Sequence, residues 1–259
     1  MLVPWPILRF LARYSEGLRL SVEHGPVSGV LSEYAIRNEP HGTGPVGRWI
    51  DRIFLRARIW DGVRQRTATT KAIIAEILAA RRAAAASTMI LDVAAGTALY
   101  LRELARECGG DDLVIACHDR NPREVMLGRQ LVAAEGLQRF TFSVGDATDE
   151  SSYLTSRDPD VVLAVGLFAI MHSDADVRTV MRVAFRHLSG DGFFVCTTLV
   201  KPPVGRRLAD VDACTGRPAE RSPETIAAWL RESGFRNIDQ RFSQSQGFAL
   251  IGQKPAAGA

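Results

Sequence analysis

From residue 88 onward, short apolar runs alternate with helical stretches, and this alternation constrains the fold more than any other feature of the chain. Strand-length runs fall at 89–93, 113–117, 140–144, 161–165, 193–197, 238–242 and 248–251. Helical segments of about 10–15 residues separate the first five. Parallel neighbours need a crossover of that size, so these five predict a parallel sheet with helices on both faces. Only residues 243–247 separate the last two runs, which is too short for a crossover and predicts an antiparallel hairpin. The fold class expected is therefore α/β: a Rossmann-like seven-stranded sheet, five parallel strands ending in an antiparallel hairpin.

Residues 1–85 show helical periods instead and predict an N-terminal helical cap on a core of residues 86–259. Ile7, Leu8, Leu11, Tyr14 and Leu18 fall at helical spacing. A second helix is expected over 26–36, ending near Asn38. A turn-rich break at 39–47 follows. Val46, Trp49, Ile50, Ile53, Phe54 and Ala57 then mark an amphipathic helix, and 61–82 another with Ile73, Ile74, Ile77 and Leu78 as its apolar stripe. In the core, Asn121-Pro-Arg-Glu124 reads as a capping box, and Ser222-Pro-Glu opens a helix that Gly234 closes.

Composition excludes several classes. An apolar fraction of 46% and a charged fraction of 24% fit a globular chain, not a disordered one. No apolar run reaches the roughly 18 residues of a membrane span. The apolar start, broken by two prolines and by Arg9 and Arg13, does not read as a signal peptide. Cys108, Cys117, Cys196 and Cys214 are widely spaced, so neither a zinc site nor a disulfide framework is expected, and a cytoplasmic location fits. A net charge of +3 gives no argument for nucleic acid. The charge is uneven, however: residues 1–85 carry thirteen Lys and Arg against seven Asp and Glu.

Chemistry-bearing residues gather at the ends of the strand runs. Ile90-Leu-Asp-Val-Ala-Ala-Gly-Thr-Ala98 leads a strand into a small-residue turn before a helix. Small residues let the backbone approach a ligand, and a helix N-terminus offers free N–H groups. Asp119 ends the second run, 23 residues after Gly96, where a carboxylate can accept the ribose hydroxyls of either SAM (S-adenosyl-L-methionine) or NAD. Asp146 and Ala147 follow the third run, and Gly166 ends the fourth. Each alone reads equally well as an ordinary turn. Asp92, Asp119 and Asp146 in order point to the ligand-binding edge of an open α/β sheet.

With its hairpin ending, this set resembles the class I SAM-dependent methyltransferases. The resemblance implies SAM as cofactor. Asp92 and Gly96 match an acidic residue followed by Gly-x-Gly-x-Gly, with Ala94 and Ala98 replacing the outer glycines. Alanine is tolerable there if its φ is negative. Asp119, with Arg120 beside it, takes the ribose; Asp146 and the backbone of Ala147 take the adenine; Gly166 and Leu167 lie by the sulfur. The Asn-Pro-Pro-Tyr or Asp-Pro-Pro-Tyr mark of base and amide methylation is absent, which argues against those acceptors.

Three blocks narrow the resemblance: 44–55 (GPVGRWIDRIFL), 60–66 (WDGVRQR) and 90–96 (LDVAAG within it), with 166–168 and 229–238. They are similar to a bacterial family of SAM-dependent methyltransferases found alone or fused to an α/β-hydrolase domain. The function expected is methyl transfer to a small-molecule acceptor, a natural-product or lipid-like metabolite. The alternative is a nucleotide-binding protein without methyl transfer, an NAD-dependent oxidoreductase or a SAM-binding regulatory module. Arg66, or else Arg64, is expected to grip the SAM carboxylate, since a guanidinium can do so by two hydrogen bonds. Residues 1–60, with Tyr14, Tyr34, His41, Trp49 and Trp60, are expected to roof the site, and His172 to serve as candidate base. The bland alternatives are a surface salt bridge, aromatic packing and a solvated histidine before a helix.

Overall fold

The computed structural model describes residues 5–108, 110, 112–199, 219–242 and 247–256. Cys214 lies outside them. Five helices precede the sheet: α1 (Trp5–Leu11), α2 (Glu16–His24), α3 (Gly29–Arg37), α4 (Gly44–Leu55) and α5 (Arg58–Ala83). The strands are β1 (Thr88–Asp92), β2 (Leu113–Asp119), β3 (Phe140–Val144), β4 (Val161–Ala164), β5 (Phe193–Leu199), β6 (Arg236–Phe242) and β7 (Gly247–Gln253). Between them lie α6 (Leu99–Cys108), α7 (Pro122–Ala134), the short α8 (Leu167–Ile170), α9 (Asp174–His187) and α10 (Pro223–Glu232).

The sheet has seven strands in the order β3-β2-β1-β4-β5-β7-β6. The first five pair in parallel, and β7 pairs antiparallel with both β5 and β6. Every residue of β1 and β4 is buried, as parallel strands covered on both faces require. On one face Leu91, Val162 and Phe194 pack with Val180 and Met181 of α9 and Leu230 of α10. On the other, Ile90, Ile115 and Leu163 pack with Leu101 of α6, Val125 of α7 and the second half of α5. Leu20, Leu31, Tyr34, Leu55 and Trp60 form a smaller core among the N-terminal helices. Thus α5 joins both layers: Trp60 belongs to the small core, and Ile73, Ile74, Ile77 and Leu78 to the sheet.

The helical layer differs from its expected pattern in two places. The period from Ile7 to Leu18 does not make one helix: α1 ends at Leu11, and Ser15 caps α2 by accepting from the Leu18 N–H. Ser15 also donates to Asp51, which is fully buried and accepts from Gly17 N–H and the Tyr34 hydroxyl. Satisfying that carboxylate turns α4 by part of a turn. Gly47, Asp51 and Leu55 face inward and Phe54 and Ala57 of the expected apolar stripe pack against the small core, while Val46, Trp49 and Ile53 of that stripe are exposed. A buried carboxylate must be hydrogen-bonded, and this need outweighs burial of an apolar stripe.

Candidate functional site

The carboxyl ends of β1, β2, β3 and β4 bring the sequence-predicted residues to one edge of the sheet. Asp92 closes β1 and is fully buried, accepting from Ala94 N–H (3.1 Å) and from the Tyr100 hydroxyl. Burial pushes its carboxyl up to about 7, although both hydrogen bonds favour the ionised form. The same burial, then the charge of Asp92, pushes the Tyr100 phenol well above its usual value.

The turn after β1 is held by β2. Gly96 N–H donates to Asp119 Oδ2 (2.8 Å), and Ala95 N–H donates to the His118 carbonyl (3.0 Å). Asp119 Oδ1 accepts from Asn121 N–H (2.8 Å), so this carboxylate braces the turn as well as facing the edge. Each oxygen has a second lone pair with which to take a hydroxyl. Gly96 has φ 53° and Ala98 φ 52°. The expected negative φ therefore fails at Ala98: its methyl is buried in the core, and the left-handed backbone costs roughly 1–2 kcal/mol. Ala94 carries no positive φ.

Beyond β3, the exposed Asp146 accepts from the Thr148 N–H (2.8 Å) and hydroxyl (2.7 Å), which hold it below the usual carboxylate range. Its Oδ2 has no protein donor among the described residues. Ala147 is buried beside it, and Arg120 is exposed nearby. Beyond β4, Gly166 takes φ 78° and opens α8, with Leu167 next to it. Its N–H donates to Thr197 Oγ1 (2.7 Å).

Arg66 reaches this point from α5. A Cβ on Gly166 would lie 3.2 Å from its Nη2. Its Nε is enclosed with no partner, and among the described residues the guanidinium donates to no acceptor. Burial holds its pKa below the ordinary value. A half-buried cation without an acceptor is costly by itself and fits an anionic group. Arg64 differs: it donates to the carbonyls of Ala35 (2.9 Å) and Leu55 (3.1 Å) and to Asp61, tying α3 and α4 to α5.

Several contributors were hidden from the sequence. The start of α3 lies on the turn after β1, so a Cβ at Gly29 would sit 2.7 Å from the Gly96 Cα. Glu124, read as half of a capping box, turns away from Asn121 and takes the Val30 N–H (3.4 Å). Asn121 caps α7 alone, accepting from Arg123 N–H. Arg102 is fully buried and donates to the Thr97 carbonyl (3.0 Å), to Glu33 (2.6 Å) and to Glu135. Glu33 also accepts from the Thr97 hydroxyl (2.6 Å), so α3 is bolted to the turn. The one sequence signal was an arginine inside the apolar stretch of α6.

The expected roof divides. Tyr34 and Trp60 are buried within the helical layer, while Tyr14, His41 and Trp49 are exposed. His172 is exposed on the link between α8 and α9 and makes no hydrogen bond among the described residues. It lines an open cleft with Arg221 and Trp229. Arg221 itself is committed to the Phe168 and Met171 carbonyls and to Asp174.

Residues 5–250 match the family described as "Putative methyltransferase". The chain belongs to this methyltransferase family. Its fold is that of the class I SAM-dependent methyltransferases. YnbC of Escherichia coli (strain K12) is 27% identical over 246 residues, which span 92% of this chain and 42% of YnbC. The chain thus spans less than half the length of this curated relative. A protein of Bordetella parapertussis described as a possible exported protein superposes with a TM-score of 0.73 at 19% identity, covering 96% of this chain and 87% of that one. An O-methyltransferase family protein from Burkholderia thailandensis gives a TM-score of 0.61 at 19% identity, covering 93% and 71%. No helix among the described residues is long and apolar enough to cross a membrane.

Proposed function

We propose that this member of the methyltransferase family transfers a methyl group from SAM to a small-molecule acceptor. The observation that carries the reading is Arg66, an unpartnered guanidinium against Gly166 beside the Asp92–Tyr100 pair. Such a group fits the carboxylate of the cofactor's methionine end. Asp119 and Arg120 would hold the ribose, Asp146 and Ala147 the adenine, and Asp92, Ala94, Gly96 and Leu167 would line the rest. When bound, SAM supplies an electrophilic methyl on a sulfonium. The chain's own task is then to hold the acceptor about 3–3.5 Å from that methyl and to exclude water.

The contact of Gly29 with the turn after β1 supports residues 1–60 as the cover that chooses the acceptor, part of a helical cap of residues 1–85 over a core of residues 86–259. His172 is the candidate base for an acceptor hydroxyl. Calorimetry tests the cofactor reading directly. SAM should bind and NAD should not, and Arg66→Ala should weaken SAM by about 1.5–3 kcal/mol, as for a hydrogen bond to a charged group. NAD binding without SAM binding would sink the reading in favour of an oxidoreductase. SAM binding with no labelled product from cell extracts would leave a binding module.

A further inference from the structure

The outer side of the N-terminal helices carries two matching surfaces. On α4, Val46, Trp49 and Ile53 fall along one exposed stripe, with Trp49 59% exposed. Arg48, Arg52 and Arg56 follow at four-residue spacing along the adjacent stripe, also exposed. The pattern repeats from α1: Ile7, Phe10 and Tyr14 line one exposed stripe, with Arg9 and Arg13 beside it. The two segments meet at the Tyr14 backbone. Its carbonyl accepts from Thr43 N–H (2.8 Å), and a Cβ on Gly47 would come within 2.2 Å of that carbonyl.

None of these five guanidinium groups forms an ion pair or hydrogen bond among the described residues, although those of most other described arginines do. The only carboxylate on either helix is Asp51, which is buried and used internally. Exposed apolar and aromatic side chains interleaved with unpaired cations match an anionic lipid surface: rings and methyls enter the headgroup boundary while guanidinium groups meet phosphates. A second copy fits poorly, because a two-fold contact would press these arginines against their own counterparts. We propose that α1 and α4 form a docking surface by which the protein lies on anionic membranes.

The test is co-sedimentation of the full chain with phosphatidylcholine vesicles, alone or with about one-third phosphatidylglycerol. Binding is expected to the anionic vesicles, to fall steeply with salt, and to be at least about ten-fold weaker on neutral ones. Each arginine near such a surface is worth about five-fold, so R48Q/R52Q/R56Q should lower partitioning by about 100-fold. Trp49→Ala with Ile53→Ser should lower it too, while the unfolding midpoint of both variants stays at that of the parent. Failure to bind phosphatidylglycerol vesicles overturns the proposal, as does undiminished binding by the arginine variant. Self-association abolished by the same substitutions would assign the surface to a second copy instead.

Discussion

Asp92 is an acid in a place that does not suit its charge. An ordinary aspartate releases its proton near 3.8, whereas this one holds it to about 7 because burial penalises the ion. Between those values the folded chain binds more protons than the unfolded one. The stabilisation from neutral Asp92 is therefore full below about 4 and is lost as pH rises through 7. We expect the urea midpoint of the ligand-free protein to fall between pH 5 and pH 8, and Asp92→Asn to flatten that slope. An unchanged slope in the variant would place the titration elsewhere. His172 makes a separate prediction. If it removes the acceptor's proton, His172→Ala lowers turnover about 10²–10⁴-fold with SAM affinity unchanged; normal turnover would leave positioning as the mechanism. The carboxylates Asp92, Asp119 and Asp146 were legible because they end apolar runs, so chain order alone put them on one edge. The lack of a partner at Arg66 was not legible. It depends on what reaches the same point from β1, β4 and α6, and only the assembled fold sets that.

Among the elements, α3 has the most consequence for its size. It is only nine residues long, yet Gly29, Glu33 and the N–H of Val30 all reach the turn after β1 or the helices beside it. Gly29→Ala would set a methyl 2.7 Å from a backbone Cα and 2.9 Å from the Thr97 nitrogen, neither of which can swing aside. The helix must lift. We expect a loss of about 1–3 kcal/mol in stability, as for overpacking, together with weaker SAM binding. Unchanged calorimetry with SAM would separate the helix from the cofactor site. The sequence placed α3 to within a few residues, at 26–36 against the observed Gly29–Arg37, with Asn38 punctuating its end. It gave no sign of the face used, and α4 shows why: the period identified a helix, but one buried carboxylate at Asp51 selected which side turned inward.

At the scale of the molecule, the alternation of strand and helix fixed the architecture in advance, since four helical crossovers between the first five strands and one short link between the last two leave few ways to arrange seven strands. What it left open was how the two layers share material. Ion pairing across the seam, with Arg102 between Glu33 and Glu135, joins residues far apart in the chain and has no local signature. The strand order has a further consequence, for the timing of assembly. β7 comes after β6 along the chain but lies between it and β5. During synthesis the five parallel strands can therefore gather first, while the outer edge of β5 waits open. β6 cannot fill that gap, because its ladder is with β7 alone. Until residues 247–253 emerge, the growing chain exposes an unpaired edge running from Phe193 to Leu199. Such an edge is a template for pairing with other chains, so the slowest-arriving strand is also the one that protects this protein from its neighbours in the crowd of half-made chains.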